Sequence, residues 1–361
     1  MIYLNYAALH PTHQEAEQEI ERTLTEFKQF LYSDAGIKWY LHKVRVCRQN
    51  VANLVHVSDP STIAFVPNAS SAHYLTLSSL KWAPGDSILT TTHENPSITR
   101  QLHALKDRGV GIHFVQPSSP DELLESITQT LDQYSVKAMV VSHVSHVDGR
   151  IFPIHAISTI ARERDVIFIV DGAQAVGHIS VDLSQLDCDV YFFTGHKWCA
   201  GPLGTGAMVV NDRFVHSRST CAVQIKNENS ADASQFEIGT HNIGLIAGLA
   251  HACEIKFQEG LKLEILQSFH QQAKEVVGQQ PNVNMVEWDG PHAPGIVTVQ
   301  GKSQFDHQRL TTRLAEESQI IVKPFVDYPQ EIMPAIRLSW SATMDEQDFR
   351  KGIKQVLQGF S

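Results

Sequence analysis

Val166-Ile167-Phe168-Ile169-Val170-Asp171-Gly172-Ala173-Gln174 is the stretch that decides the fold. Its first five residues are all apolar and mostly β-branched, so it reads as a strand buried on both faces. A carboxylate follows at once at the strand's C-terminal end. A second run of the same kind, Val190-Tyr191-Phe192-Phe193, leads into Thr194-Gly195-His196-Lys197-Trp198 and a glycine-rich turn, Gly201-Pro202-Leu203-Gly204-Thr205-Gly206. Apolar runs at 61–66, 87–90, 112–115 and 138–141 precede these two, and another follows at 206–210. Amphipathic stretches at 121–134 and 153–164 lie between some of them. Strand, helix, strand repetition predicts an α/β fold with a mostly parallel seven-stranded sheet covered on both faces.

Beyond Gly244 the pattern changes. A long helical stretch runs through Leu249, Ala250, Cys253 and Ile255, and strand-like runs follow at 295–299, 320–322 and 336–339. A helix is expected around 310–317, and a last one from Asp345, as its cap, to Leu357. The expected organisation is a large unit over 15–245 and a smaller α+β unit formed by 1–14 plus 246–361.

Composition narrows the class. The chain has 361 residues, 42% hydrophobic and 19% charged, the mixture of an ordinary globular protein. Counting 29 Lys+Arg against 39 Asp+Glu gives −10 with no basic patch, so no nucleic-acid partner is expected. No stretch approaches the ~20 apolar residues of a membrane helix, and the first residues do not read as a signal peptide. Five cysteines (Cys47, Cys188, Cys199, Cys221, Cys253) form no CxxC pair, which favours a reduced, cytoplasmic setting. His10/His13 and His143/His146 have i, i+3 spacing but no accompanying Cys or carboxylate set, so no metal site is expected.

In an open α/β sheet, ligands sit at the C-terminal ends of strands. Asp171 there is either a turn-capping residue or a buried carboxylate in need of a cation. Lys197 is either an ion-pair partner or a desolvated amine suited to forming an imine. Between strand and helix, Pro67-Asn68-Ala69-Ser70-Ser71-Ala72 offers free backbone N–H groups to an anion, though such turns are common. Together an acid, an imine-forming lysine and an anion-binding helix start match the requirements of pyridoxal phosphate.

The segment VDGAQAVGHISVDLSQLDCDVYFFTGHKWCAGPLGTGAMVV (170–210) resembles the class V aminotransferase and cysteine desulfurase superfamily of fold type I pyridoxal-phosphate enzymes. The cysteine/cystine C–S lyases are the most similar members. Weaker likeness runs from IYLNYAALHP to IRLSWSATMDEQDF. The resemblance implies Lys197 as the Schiff-base lysine and catalytic base, with Asp171 on the pyridinium nitrogen and Gln174 on the phenolic oxygen. It implies His93, also a candidate catalytic residue, stacked on the ring, and Ala69, Ser70, Thr194 and His196 on the phosphate. Thr240 would reach the phosphate across a homodimer interface. Arg337 would bind the substrate's α-carboxylate, with Asn5 beside it. His146 stands where the family usually has asparagine near the cofactor. The stretch 320–328 lacks the cysteine that desulfurases carry, and Cys199 and Cys253 are expected to be buried structural thiols.

The implied activity is α,β-elimination at the C–S bond of cysteine, cystine, a cysteine S-conjugate or a cysteine sulfoxide. Aminotransferase, amino-acid epimerase and a desulfurase-like enzyme without the loop cysteine are the alternatives. A non-catalytic relative could have lost Lys197 or Asp171, and this chain keeps both.

Overall fold

Most of the apolar runs become strands of one sheet because they are too apolar to leave a face in water, whereas the run at 111–115 takes the sheet edge and keeps most of its residues partly exposed. In the computed structural model, residues 1–30, 33–116, 118–217, 232–302, 305–325 and 334–360 are described. The first elements are β1 (Ile2–Tyr3), α1 (Gln14–Phe30) and α2 (Asp34–Leu54). Strands β2 (Ile63–Val66), β3 (Ser87–Thr91), β4 (Gly111–Val115) and β5 (Val136–Ser142) alternate with α3 (Ala69–Ser79), α4 (Pro96–His103) and α5 (Pro120–Gln133). Then come α6 (Ile154–Glu163), β6 (Ile167–Asp171), β7 (Val190–Thr194), β8 (Gly206–Val210) and α7 (Asp212–Ser217).

Among the described residues these strands form a 7-stranded sheet in the order β2-β8-β7-β6-β5-β3-β4. Only β8 runs against its neighbours, β2 and β7. The six other strands therefore deliver their C-terminal ends to one edge. All five residues of β6 and all five of β7 are buried. Burial of each Ile, Val or Phe there contributes about 1.5–3 kcal/mol. Two apolar clusters, one on each face, hold the sheet between helices.

Helix α8 (Ile243–Glu259) follows, and the smaller part then contains α9 (Leu263–Gly278), β9 (Val283–Met285), β10 (Ile296–Gly301) and α10 (His307–Ser318). It ends with β11 (Ile320–Ile321), β12 (Lys323–Phe325), β13 (Ala335–Ser339) and α11 (Glu346–Gln358). Its antiparallel sheet has the order β12-β13-β10-β9, and β1 pairs in parallel with β11. As expected, Asp345 caps α11, its carboxylate accepting from the Gln347 and Asp348 N–H groups. Helix α8 packs on α1 and α2, and its Leu249, Ala250 and Cys253 join the core of the large sheet. That approach is close: a Cβ on Gly248 would lie 2.6 Å from Ile20.

The N-terminal segment ties the two parts together. Leu4 N–H donates to Ile321 and Ser339 N–H donates back to Leu4. Farther along, His10 N–H donates to the His196 carbonyl and His13 N–H to that of Ala200, both at 2.8 Å. The loop carrying Lys197 is thereby held against the smaller sheet.

Candidate active site

The loops after β2, β3, β5, β6 and β7 close around a cavity of about 110 Å³. Asn68, Ala69 and Ser70 line it from the start of α3, and Asn95 and Ser97 from the start of α4. Ser142, Val144 and His146 follow β5, Asp171, Ala173 and Gln174 follow β6, and Thr194, His196 and Lys197 follow β7. The strand-end rule thus holds for five strands at once.

Asp171 is buried, and Ala173 N–H donates to its Oδ1 at 2.8 Å. Burial raises its pKa, against the pull of Lys197 and the Ala173 N–H. Burial likewise lowers Lys197 to about 8, against the attraction of Asp171, while Arg337 adds to the lowering. In both groups desolvation wins over the opposite charge. The amine therefore gives up its proton more readily than an ordinary lysine, and the carboxylate gains from any further cationic centre placed beside it. At the other end of the cavity Asn68 caps α3, accepting from Ser71 N–H at 2.9 Å. The remaining free N–H groups of that first turn suit an anion. Thr194 Oγ1 and His196 Nδ1 pair at 2.9 Å beside them. Burial holds His196 down to about 4, so its ring is neutral at pH 7.

A buried relay fixes the wall between these ends. Trp198 N–H donates to Gln174 Oε1 at 2.6 Å, and Gln174 Nε2 donates to the Ala7 carbonyl at 2.9 Å. The His178 ring stacks on Trp198 with centroids 3.6 Å apart. Gly295 N–H donates to His178 Nε2 at 2.8 Å, so Nδ1 carries the proton it gives to the Gln174 carbonyl at 3.0 Å. A Cβ on Gly295 would lie 2.5 Å from Trp198, so glycine is required there.

Arg337, on β13, enters from the smaller sheet. Its Nη1 donates to the His146 carbonyl at 2.6 Å and its Nη2 to Asn5 Oδ1 at 3.1 Å. The guanidinium lies 5.5 Å from the centroid of Phe325, whose ring meets His146 edge-on. Burial, with Arg337 and Lys197 nearby, keeps His146 well below the usual imidazole range.

The family model for aminotransferase class V matches residues 2–324. The chain belongs to the aminotransferase class V family. It is 28% identical over 268 residues to a probable cysteine desulfurase of Pyrococcus abyssi, 69% of this chain and 64% of that protein. It is 27% identical over 216 residues to one of Methanothermobacter thermautotrophicus, 57% of this chain and 52% of that protein. The chain thus spans about half to two thirds of the length of these curated relatives. Among solved structures it is similar to the cystine C-S lyase C-DES in complex with its reaction product cysteine persulfide. There the TM-score is 0.87 at 23% identity, covering 99% of this chain and 97% of that one. A cysteine desulfurase from Thermococcus onnurineus gives a TM-score of 0.85 at 20% identity, with 99% and 94% covered. At these identities the structures show the shared fold.

Of the residues singled out in the sequence, Lys197, Asp171, Gln174, Ala69, Ser70, Thr194, His196 and His146 line the cavity, whereas His93, Thr240, Arg337 and Asn5 are not among its lining residues. His93 Nε2 turns to Asp148 at 4.0 Å, and burial holds the ring down to about 4. Asn95 lines the wall instead, because it caps α4 and Pro96 then starts the helix. Thr240 lies on the exposed surface, outside this chain's cavity. Cys199 and Cys253 are buried and beside one another, and the hydrogen bond with the Cys199 thiol, then burial, keeps Cys253 far above the usual range. Cys221 and the end of the 320–328 stretch, at 326–328, lie outside the described residues. Ser142 and Asn95 were missed in the sequence. Ser142 pairs with Asp171 in register at the end of β5, a position the strand-end rule already marks.

Proposed function

We propose that the protein is a pyridoxal-phosphate-dependent lyase that cleaves the C–S bond of a sulfur-containing amino acid by α,β-elimination, yielding pyruvate and ammonia. The observation that carries this reading is the placement of Lys197 and Asp171 on one cavity with the free start of α3 at its other end. When bound, pyridoxal phosphate supplies a conjugated cationic ring that draws electrons from the substrate's α-carbon. Asp171 would hold a proton at the ring nitrogen, Gln174 would meet the phenolic oxygen, and Ala69, Ser70, Thr194 and His196 would hold the phosphate. Lys197 Nζ is the covalent attachment point and the base for the α-proton, its lowered pKa giving it a neutral fraction near pH 7. Arg337 and Asn5 bind the α-carboxylate, for which a planar guanidinium fork is suited. His146, neutral and buried, excludes water from the approach between Arg337 and the cavity.

A homodimer in the cytoplasm fits this reading, the exposed Thr240 lending its hydroxyl to the partner's phosphate. The lyase is favoured over a persulfide-forming desulfurase because Cys199 and Cys253 are buried, with Cys253 held protonated at neutral pH. The test is incubation of the purified protein with pyridoxal phosphate and cysteine, cystine or a cysteine S-conjugate. Pyruvate released in step with thiol or sulfide, without a keto-acid acceptor, supports the lyase. Amino transfer that needs a keto acid, or a protein that gains no visible absorbance band from pyridoxal phosphate, contradicts it.

A further inference from the structure

Glu94 is a buried carboxyl group in the turn between β3 and α4, and the proposed chemistry makes no use of it. Thr91 O–H donates to Glu94 Oε1 at 2.7 Å, and Ser142 N–H donates to the same oxygen at 3.0 Å. The other oxygen, Oε2, meets Ser142 Oγ at 2.6 Å. Ser142 lines the cavity and stands in register with Asp171 on the neighbouring strand. One hydroxyl thus neighbours two buried carboxyl groups.

The two acids have unequal company. Asp171 has the Lys197 amine within electrostatic reach and the Ala173 N–H on its Oδ1. Glu94 is met by three neutral dipoles, and among the described residues no cation forms an ion pair with it. The charged group that bears on it is Asp171, of its own sign. His93, beside it in the turn, directs its ring to Asp148 and is neutral at pH 7. Burying a carboxylate without a cation is costly, and a second carboxylate nearby adds to the cost. The set therefore keeps one proton, and Glu94 is the acid that holds it. Burial raises Glu94 to about 7, against the pull of the Ser142 and Thr91 hydrogen bonds. Oε1 already accepts from two donors, so the proton sits on Oε2 and is donated to Ser142 Oγ. The Ser142 hydrogen is then free to face the cavity.

A cation placed against Asp171 alters this balance, because an opposite charge nearby favours the ionised form of Glu94 as well. We propose that Glu94 is a positioning residue that stores a proton in the cofactor-free protein and releases it when a cationic ring nitrogen is seated against Asp171, with Ser142 carrying the change to the cavity wall. This rests on the reading of Asp171 as the partner of the ring nitrogen. No covalent bond between heavy atoms changes: the proton leaves Glu94 Oε2 for solvent, and Ser142 O–H turns to donate to that oxygen.

The experiment compares the full-length wild type with Glu94→Gln, whose amide imitates the protonated acid. Its oxygen can accept from Thr91 and Ser142 while its N–H donates to Ser142 Oγ. Infrared difference spectra of the cofactor-free protein are expected to show the carbonyl stretch of a buried protonated carboxyl group, present in Asp171→Asn and absent in Glu94→Gln. Affinities are then measured at about pH 6 and about pH 8.5, on either side of the Glu94 titration. The ligands are pyridoxal phosphate and its 1-deaza analogue, in which carbon replaces the ring nitrogen. The ratio of wild-type to Glu94→Gln affinity for pyridoxal phosphate should rise at least ~5-fold with pH, since only the wild type gains a second negative charge. The same ratio for the deaza analogue should not rise, and comparing the two proteins cancels the titration of the ligand itself. A protein that binds neither compound overturns the cofactor reading and the proposal together. Binding of both with flat ratios leaves the cofactor in place and overturns the proposal alone. An infrared band that disappears in Asp171→Asn and persists in Glu94→Gln also overturns it.

Discussion

Lys197 and Asp171 hang from adjacent strands of one sheet, whereas Arg337 meets Asn5 and His146 from remote parts of the chain. The first pair is set by a rigid scaffold: β6 and β7 are buried throughout, and the loop after β7 is pinned by Trp198, Gln174 and His178. The second is an assembly in which the N-terminal segment and the loop after β5 meet a strand of the smaller sheet. The contrast separates two tasks. In the proposed reading, chemistry that needs a buried amine beside a buried acid falls at the ends of fully buried strands, and recognition of the substrate's charge falls where two parts of the molecule meet.

Removing the amine is the harshest way to break that contrast. Lys197→Ala is expected to lower turnover by at least ~10³-fold, since covalent attachment and proton transfer both reside in its Nζ. Steady-state pyruvate release checks this, with circular dichroism confirming that the sheet is intact. Arg337→Lys probes the other half. A loss of at least ~10-fold in kcat/KM is expected, about 1.4 kcal/mol at the transition state, with an unchanged cofactor absorbance spectrum. A variant with altered absorbance would mean that the two halves are not separable in this way.

The amine's environment can be sharpened by pH. With Lys197 lowered to about 8 from 10.5, the neutral fraction rises between pH 7 and pH 9 and then saturates. The rate at which the cofactor-free protein takes up pyridoxal phosphate should rise about 10-fold over that window and level off, whereas an ordinary lysine would keep rising. Stopped-flow absorbance reads the difference. The smallest effect is expected from the thiols. Replacing Cys199 and Cys253 together by Ala should leave sulfur release within ~10-fold of wild type, and mass spectrometry should find no persulfide on either residue.

What could be read from the sequence follows the same divide. The strands of the large sheet are legible because runs such as 167–171 and 190–193 are apolar on both faces, and their C-terminal ends point to Asp171 and Lys197 without further knowledge. Helices α1 and α2 were not read. Their buried faces include Glu19 and Thr23 in α1 and Gly36 in α2, and they are held largely by the close approach of α8. Asn95 was not singled out from the motif around His93, and it reaches the cavity because it caps α4 ahead of Pro96. The Arg337 half is legible only through family resemblance. Its partners include the His146 backbone carbonyl, which no side-chain pattern can announce.

The most direct measurement of the central claim is chemical trapping. The purified protein is mixed with pyridoxal phosphate, reduced with borohydride, digested and sequenced by mass spectrometry. The account predicts one reduced pyridoxyl-phosphate group, on the peptide that carries Lys197, with none on that peptide after Asp171 and Lys197 are both replaced by Ala. A label on another lysine, or no label above the level of the heat-unfolded protein, would contradict it.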